Sequence, residues 1–262
     1  MEIRRSHYST ALAHAQGIVA ECVHLFEYWE AGMSANDLFE SARSIGILGS
    51  DSDRRTRNII IEGFGSRFLR EPHQDSAAYL KRLLANASPK LRLEIILLYS
   101  LRQHGIFFDF MTEVYWPAVR AGRSTLNRSE VASLIDHGRI EGKLDRDWSE
   151  SVRKRVSSYV LGIARDFELL GDVSRGARPI QQWAPSEDLI LYLAYDLHFL
   201  GFGDDEIVGT EEWQALGFER DDVIAYLNRL DHRGHLTLQD SGLITRIEWK
   251  YRDRSQLNDA LL

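Results

Sequence analysis

A chain of 262 residues can hold one large domain or two to three small ones, and 44% hydrophobic with 27% charged residues is the makeup of a folding globular protein. That excludes disordered and collagen-like classes, and a lone cysteine, Cys22, excludes an internal disulfide framework. The net charge of -7 argues against a uniformly basic nucleic-acid binder, yet residues 186–262 hold sixteen acids against seven bases, which leaves residues 1–185 slightly positive.

Leu, Ala, Arg and Glu are common and prolines number five, so helix is expected to dominate. The first helix is predicted over about residues 10–31, with Leu12, Val19, Val23, Phe26 and Trp29 near helical spacing and Gly32 as its stop. Ser34 caps a second helix over 35–45. After a turn, Ser52 or Asp53 caps a third, DRRTRNIIIEGFGSRFL, with Ile60, Ile61, Phe64 and Phe68 inward. Three short helices with a basic third one predict a helix-turn-helix-like unit over residues 1–86.

Ser88-Pro89 starts the next helix, because proline at the first helical position loses no bond and serine can hold the orphan amides. KLRLEIILLYSLRQH is apolar on almost every side and reads as the buried central helix. An aromatic helix over 107–119 follows, which Trp116-Pro117 is expected to bend or end. Ser129 caps a short helix through His137. Asp147 and Glu150 have capping-box spacing before a strongly amphipathic helix that Gly171 ends. These segments form a central helical unit over 87–178.

The stretch DVSRGARPIQQWAP reads as a linker open to strand pairing. Beyond it come a helix over 186–200, a short one around Glu211, another over 221–232, and two alternating runs, HLTLQ and LITRIEWKY. Asp240-Ser241-Gly242 between those runs predicts a β-hairpin. This order makes residues 179–262 a winged-helix-like unit, and the fold class mainly α and multi-helical with one β-hairpin.

Positive charge on three elements suggests contacts to a phosphate backbone. Projected at 100° per residue, the helix over 53–70 turns Arg55, Glu62, Gly63, Ser66 and Arg70 away from its apolar stripe, while Arg57 projects into the stripe as a structural arginine. Arg54, Arg55, Arg67 and Arg70 are the expected DNA contacts here, since guanidinium offers planar donors to phosphate or guanine. On the amphipathic helix, Lys154, Ser158, Leu161 and Arg165 are expected to face outward. Lys154 and Arg165 are weaker candidates because nearby acids dilute their field. Arg246 and Lys250 lie four apart on the second hairpin strand and would suit a wing touching phosphate. For each set the alternative is an ordinary solvated charged face.

Enzymatic signatures are absent. Glu21 and His24 form a single E-x-x-H, and His14 adds one more histidine, but a di-metal site needs a second copy and further carboxylates. Cys22 beside a buried stripe reads as an inert core thiol. There is no P-loop, no dinucleotide fingerprint, no nucleophile elbow and no H-E-x-x-H. Neither a cofactor, a metal nor a small-molecule substrate is expected. No apolar run reaches the ~20 residues of a membrane span, and the N-terminal stretch lacks a signal-peptide core, so the expected location is the cytoplasm.

Four stretches, STALAHAQGIVAECVHLFEYWEAG, SDRRTRNIIIEGFGSRFL, LRLEIILLYSLRQHGIFFDFMTEVYWP and DWSESVRKRVSSYVLGIARDFELLG, spread over roughly residues 9–171, resemble the BrxA family of the BREX phage-defence systems of bacteria. The resemblance implies a mainly helical protein with helix-turn-helix and winged-helix-like parts. It also implies double-stranded DNA binding, other phage-defence components as partners, and a role in restricting phage. It brings no catalytic residues and no DNA-contact motif, so the residues named above rest on the helical projection alone. A protein-protein adaptor of the same kind of complex, without direct DNA binding, is the alternative.

Overall fold

Side-chain caps open many of the helices. The computed structural model describes residues 7–13, 18–49, 52–70, 73–144, 146–242 and 244–262. The predicted first helix is present as a 3-10 turn, Thr10–Ala13, and a shorter helix α1, Val19–Tyr28. His14 lies outside the described residues. Ser34 and Asp37 exchange hydrogen bonds in a capping box that opens α2, Ala35–Ile45. Ser52 accepts from the Arg55 N–H at the start of α3, which covers 53–68 and contains a π-helical segment, Asn58–Gly65. After α4, Ala77–Asn86, the Ser88 hydroxyl accepts from the Leu91 N–H and Pro89 takes the first helical position of α5, Pro89–Gln103.

Helix α6, over 105–120, does not end at Trp116-Pro117. A π segment, Phe110–Tyr115, precedes the proline, and the Trp116 N–H reaches back five residues to the Met111 carbonyl. The widened turn gives the ring room where an α-turn would press it against the carbonyl four residues earlier. Two predicted caps shift by two residues. Asn127, boxed with Glu130, opens α7, Arg128–Ile140, and Ser149 opens α8, Glu150–Asp166.

The linker pairs as expected. Strand β1, Thr125–Asn127, runs antiparallel to β2, Ala177–Pro179, with Leu126 opposite Arg178. Ser186 then caps α9, Glu187–Phe199, and three helices follow: α10, Asp204–Gly209; α11, Glu211–Ala215; and α12, Arg220–His232. The predicted hairpin is present as β3, Leu236–Asp240, and β4, Thr245–Trp249, with Leu238 opposite Ile247. A last helix, α13, Arg254–Leu261, was not anticipated. Asp253 caps it by accepting from the Gln256 N–H.

The protein is thus mainly helical, with two small two-stranded antiparallel sheets among the described residues. Helix α5 is the centre: it is buried from Glu94 through Arg102, as its unpatterned hydrophobicity predicts. Each of its buried Leu and Ile side chains contributes roughly 1.5–3 kcal/mol when removed from water. One continuous hydrophobic core runs from Tyr8 and Leu12 through the α5 residues to Leu257.

The central helix also carries a buried charge cluster. Arg102 donates from Nη1 to Asp196 Oδ2 at 2.6 Å, and from Nε and Nη2 to Glu212 at 2.9 and 2.8 Å. Arg254 of α13 takes the other Asp196 oxygen. The Tyr99 and Tyr192 hydroxyls bond at 2.9 Å, and the Arg102 guanidinium lies 5.2 Å from the Tyr99 ring centre. Burial lowers the Arg102 pKa, but Glu212 and Asp196 outweigh it and hold the group charged. Burial raises the Asp196 carboxyl, and Arg102 and Arg254 overcome that as well. The cluster fastens α9, α11 and α13 to α5.

Candidate nucleic-acid interface

Helix α3 presents arginines to solvent in an arrangement set by its π segment. Buried positions recur every four residues: Ile59, Gly63 and Arg67 in one column, Thr56, Ile60, Phe64 and Phe68 in the next. The remaining column, Arg54, Asn58, Glu62 and Ser66, is exposed at Arg54 and half-buried below it, and exposed Arg70 lies two residues past the helix end. An ideal α-helix repeats every 3.6 residues, and bonding to the fifth residue widens the turn.

Three expectations for α3 change as a result. Arg67, predicted to touch DNA, is only 1% exposed: its Nε donates to Gln103 Oε1 at 2.7 Å, and Nη1 lies 3.8 Å from Cys22 Sγ. It is an internal anchor. Gly63, predicted outward, is buried. Arg57, predicted inward, is exposed, with its guanidinium 5.7 Å from the Phe39 ring centre. Arg54, Arg55 and Arg70 are exposed as expected, although Arg55 heads the column that turns inward below it.

Several contacts hold this helix in place. A Cβ at Gly65 would stand 2.6 Å from the Ala35 Cβ, so glycine is what allows α2 to press against the π segment. From the end of α5, Gln103 Nε2 donates to the Glu62 carbonyl at 2.8 Å and to Ser66 Oγ, while its Oε1 receives Arg67. Burial lowers the pKa of Arg67, but arginine keeps its proton in proteins. Burial also raises the Cys22 thiol to about 11, against the pull of Arg67, so the thiol is protonated and shielded. Sequence reading missed Gln103 and Arg102. The available signal was a polar pair, Arg102-Gln103, closing a helix otherwise apolar on nearly every side.

The other basic sets sit on separate elements. Lys154 and Arg165 are exposed, but Lys154 pairs with Glu150 at 2.6 Å and Arg165 with Asp166 at 2.5 Å. Leu161, predicted outward, is buried because α8 packs against both α7 and the Thr10–Ala13 turn and so has two covered sides. Arg246 on β4 and Lys250 just beyond it are both exposed, and the Lys250 ammonium stands 5.7 Å from the Tyr251 ring centre. His24 bonds Glu27 at 3.0 Å on the surface. Among the described residues, no three His, Cys, Asp or Glu side chains gather as a metal site, and no helix is long and apolar enough to cross a membrane.

A hollow of about 570 Å³ beside α6 is lined by Tyr8, Asp109, Glu113, Lys143 and Glu211. Its charges are used internally. Lys143 bonds Asp109 at 2.8 Å and Glu141 at 2.9 Å, and the Tyr8 hydroxyl donates to Asp109 at 2.6 Å.

Fold and surface together define a mainly helical protein with an arginine-bearing helix braced against a central apolar one. The profile of the BrxA family matches residues 6–196, nearly three quarters of the chain. The chain belongs to the BrxA family of BREX phage-defence systems. No curated protein and no solved structure matches it.

Proposed function

We propose that this protein is a non-enzymatic, cytoplasmic component of a BREX phage-defence system that binds double-stranded DNA through phosphate contacts from Arg54, Arg55 and Arg70. The observation that carries the reading is the exposed arginines Arg54 and Arg55 in the first turn of α3 and Arg70 just past its end, on a helix whose inner side is fixed in the core. A rigid helix bearing separated guanidinium groups can follow a backbone without reading sequence. Helices α1 to α3 form the helix-turn-helix-like unit in this reading. Helices α9, α10 and α12 with the β3–β4 hairpin form the winged-helix-like one.

A second reading is favoured by a specific observation in the C-terminal part. The start of α12, where a DNA-reading helix would meet bases, exposes its cap residue Glu219 and, in its first turn, Asp221 and Asp222. Those carboxylates repel phosphate, so this part meets protein partners and leaves DNA to α3. Fluorescence anisotropy with duplex DNA, single-stranded DNA and RNA of equal length, at two salt concentrations, separates the readings. Duplex preference weakening steeply with salt is the expected result. No duplex binding at low salt would leave the adaptor role alone standing.

A further inference from the structure

We propose that Arg175 and Arg128, at the open end of the β1–β2 ribbon, form a second contact to the phosphate backbone of duplex DNA, in the manner of a wing. The inference rests on the DNA-binding reading above and adds a contact outside α3. Strand β2 lies between two partners. On the side of β1, the Ile180 N–H donates to the Ser124 carbonyl at 2.9 Å. On the other side, the Gly171 N–H donates to the Pro179 carbonyl at 2.8 Å and the Gln181 N–H to the Leu169 carbonyl at 3.0 Å. Ser174 and Ala177 exchange backbone bonds at 2.8 and 3.1 Å. Residues 169–174 and β2 are therefore the arms of a hairpin. In chain order come α6, β1, α7, α8 and then this hairpin, whose second arm pairs with β1. Two helices in succession closed by such a ribbon have the connectivity of a winged helix, and Arg175-Gly176 is the tip of its wing.

The two arginines are placed at local cost. Arg175 and Gly176 both have positive φ, 51° and 83°, as a two-residue hairpin turn of the Asn-Gly kind requires. Arginine holds that conformation against its own backbone preference. Asn127 faces Ala177 in the ladder, so Arg128, the next residue, leaves the sheet at the same end as the tip. It is also the first residue of α7, where a cation opposes the helix dipole. Both arginines are exposed, and neither meets a carboxylate among the described residues. The acids on the adjoining stretches face other cations: Asp172 lies 3.8 Å from Arg165, and Glu130 bonds Arg123. Two strained placements without an internal partner point to an external one, and paired guanidinium groups suit phosphate. The arm behind them is fixed. A Cβ at Gly171 would stand 2.7 Å from Pro179 Cγ, and Arg178 Nη1 donates to the Gly171 carbonyl at 3.0 Å. Helix α8, which would enter a groove in such a fold, packs against this chain's own Thr10–Ala13 turn, and its Lys154 and Arg165 face carboxylates. The ribbon end is what this unit has left to offer DNA.

Arg175→Asn in the full chain separates contact from structure, because asparagine is at home in the turn. Its melting temperature should equal or exceed the parent's, while duplex affinity falls about threefold and the salt slope flattens by about one unit. Arg128→Ala should do the same, and the double variant should flatten the slope by about two units. Arg175→Lys keeps the charge and should keep the parent's slope. A double variant that binds duplex like the parent overturns the wing contact, and if Arg54→Ala with Arg70→Ala still weakens binding, the α3 reading survives it. A parent that binds no duplex at low salt removes both. A melting temperature lowered by both single substitutions, or an Arg175→Lys variant as weak as Arg175→Asn, also overturns the proposal.

Discussion

The N-terminal and C-terminal thirds are both rich in charge and use it in opposite directions. On α3 the arginines at the outer positions face solvent, and only Arg67 is taken into the core. In residues 186–262 most of the acids are engaged within the protein. Asp196 and Glu212 hold Arg102, Asp240 pairs with Arg220, Asp259 with Arg82, and Asp204, Asp205 and Asp231 accept from hairpin N–H groups. The strongly acidic balance of that region therefore overstates the negative field it presents. Net charge of a segment predicts partners only after the internally paired groups are set aside.

Removing a charge from the C-terminal cluster should cost the most. Arg102→Met leaves Glu212 buried without its partner, a loss of about 3–5 kcal/mol. The melting temperature should fall by roughly 10 °C, by calorimetry or circular dichroism. An unchanged melting temperature would break the contrast, because the buried charges would then be no framework.

Acid should act next most strongly, through histidines that the fold keeps neutral. Burial, with Arg102 and Arg254 nearby, lowers His73 to about 3, with Asp196 pulling the other way, and burial with Arg67 also lowers His104 well below the usual histidine range. The unfolded chain binds protons at these groups below about pH 6.5 and the native chain does not, so this share of stability is present above 6.5 and lost progressively as pH falls from there toward 3. For His73 the cost is about 2 kcal/mol at pH 5. His73→Phe should shrink the drop in melting temperature between pH 7.5 and pH 5. His73 Nδ1 has no hydrogen-bond partner among the described residues, so phenylalanine forfeits no bond there. An undiminished drop would assign the acid sensitivity to other groups.

Charge removal on α3 should leave stability alone and reduce binding. Arg54→Ala with Arg70→Ala should weaken duplex binding on the order of tenfold and flatten the salt slope by roughly two units, with no change in melting temperature. Lys154→Ala with Arg165→Ala should have the smallest effect, within about threefold, because both residues already face carboxylates. An equal loss from the two pairs would show that overall charge, and not the placement on α3, governs binding.

Caps, the central helix and the hairpin were legible in sequence because each depends on short-range chemistry. Ser34, Ser52 and Ser88 open helices as expected, and the alternation around Asp240-Ser241-Gly242 forms the expected hairpin. The failures have one physical origin in common: geometry was assumed where tertiary contacts decide it. A fixed 3.6 repeat could not show the π segment that turns Arg67 and Gly63 inward, nor the one that carries α6 past Pro117. Leu161 looked outward because a second neighbour for α8, the Thr10–Ala13 turn, is distant in sequence. The Arg102 cluster joins residues 94 and 110 positions apart, which no local pattern reveals.

The hairpin's two open sides have a consequence for how the protein keeps to itself. The outward N–H groups of Thr245 and Ile247 donate to Asp205 and Asp204 at 2.7 and 2.9 Å, and that of Leu238 donates to Asp231 at 3.2 Å. A bare strand edge is a template on which another chain can add, copy after copy, into a fibre. Here the template is already occupied by carboxylates from neighbouring helices. A visiting strand would have to displace charged acceptors before gaining its first ladder bond, so partners of this ribbon must engage it by side chains rather than by extending the sheet.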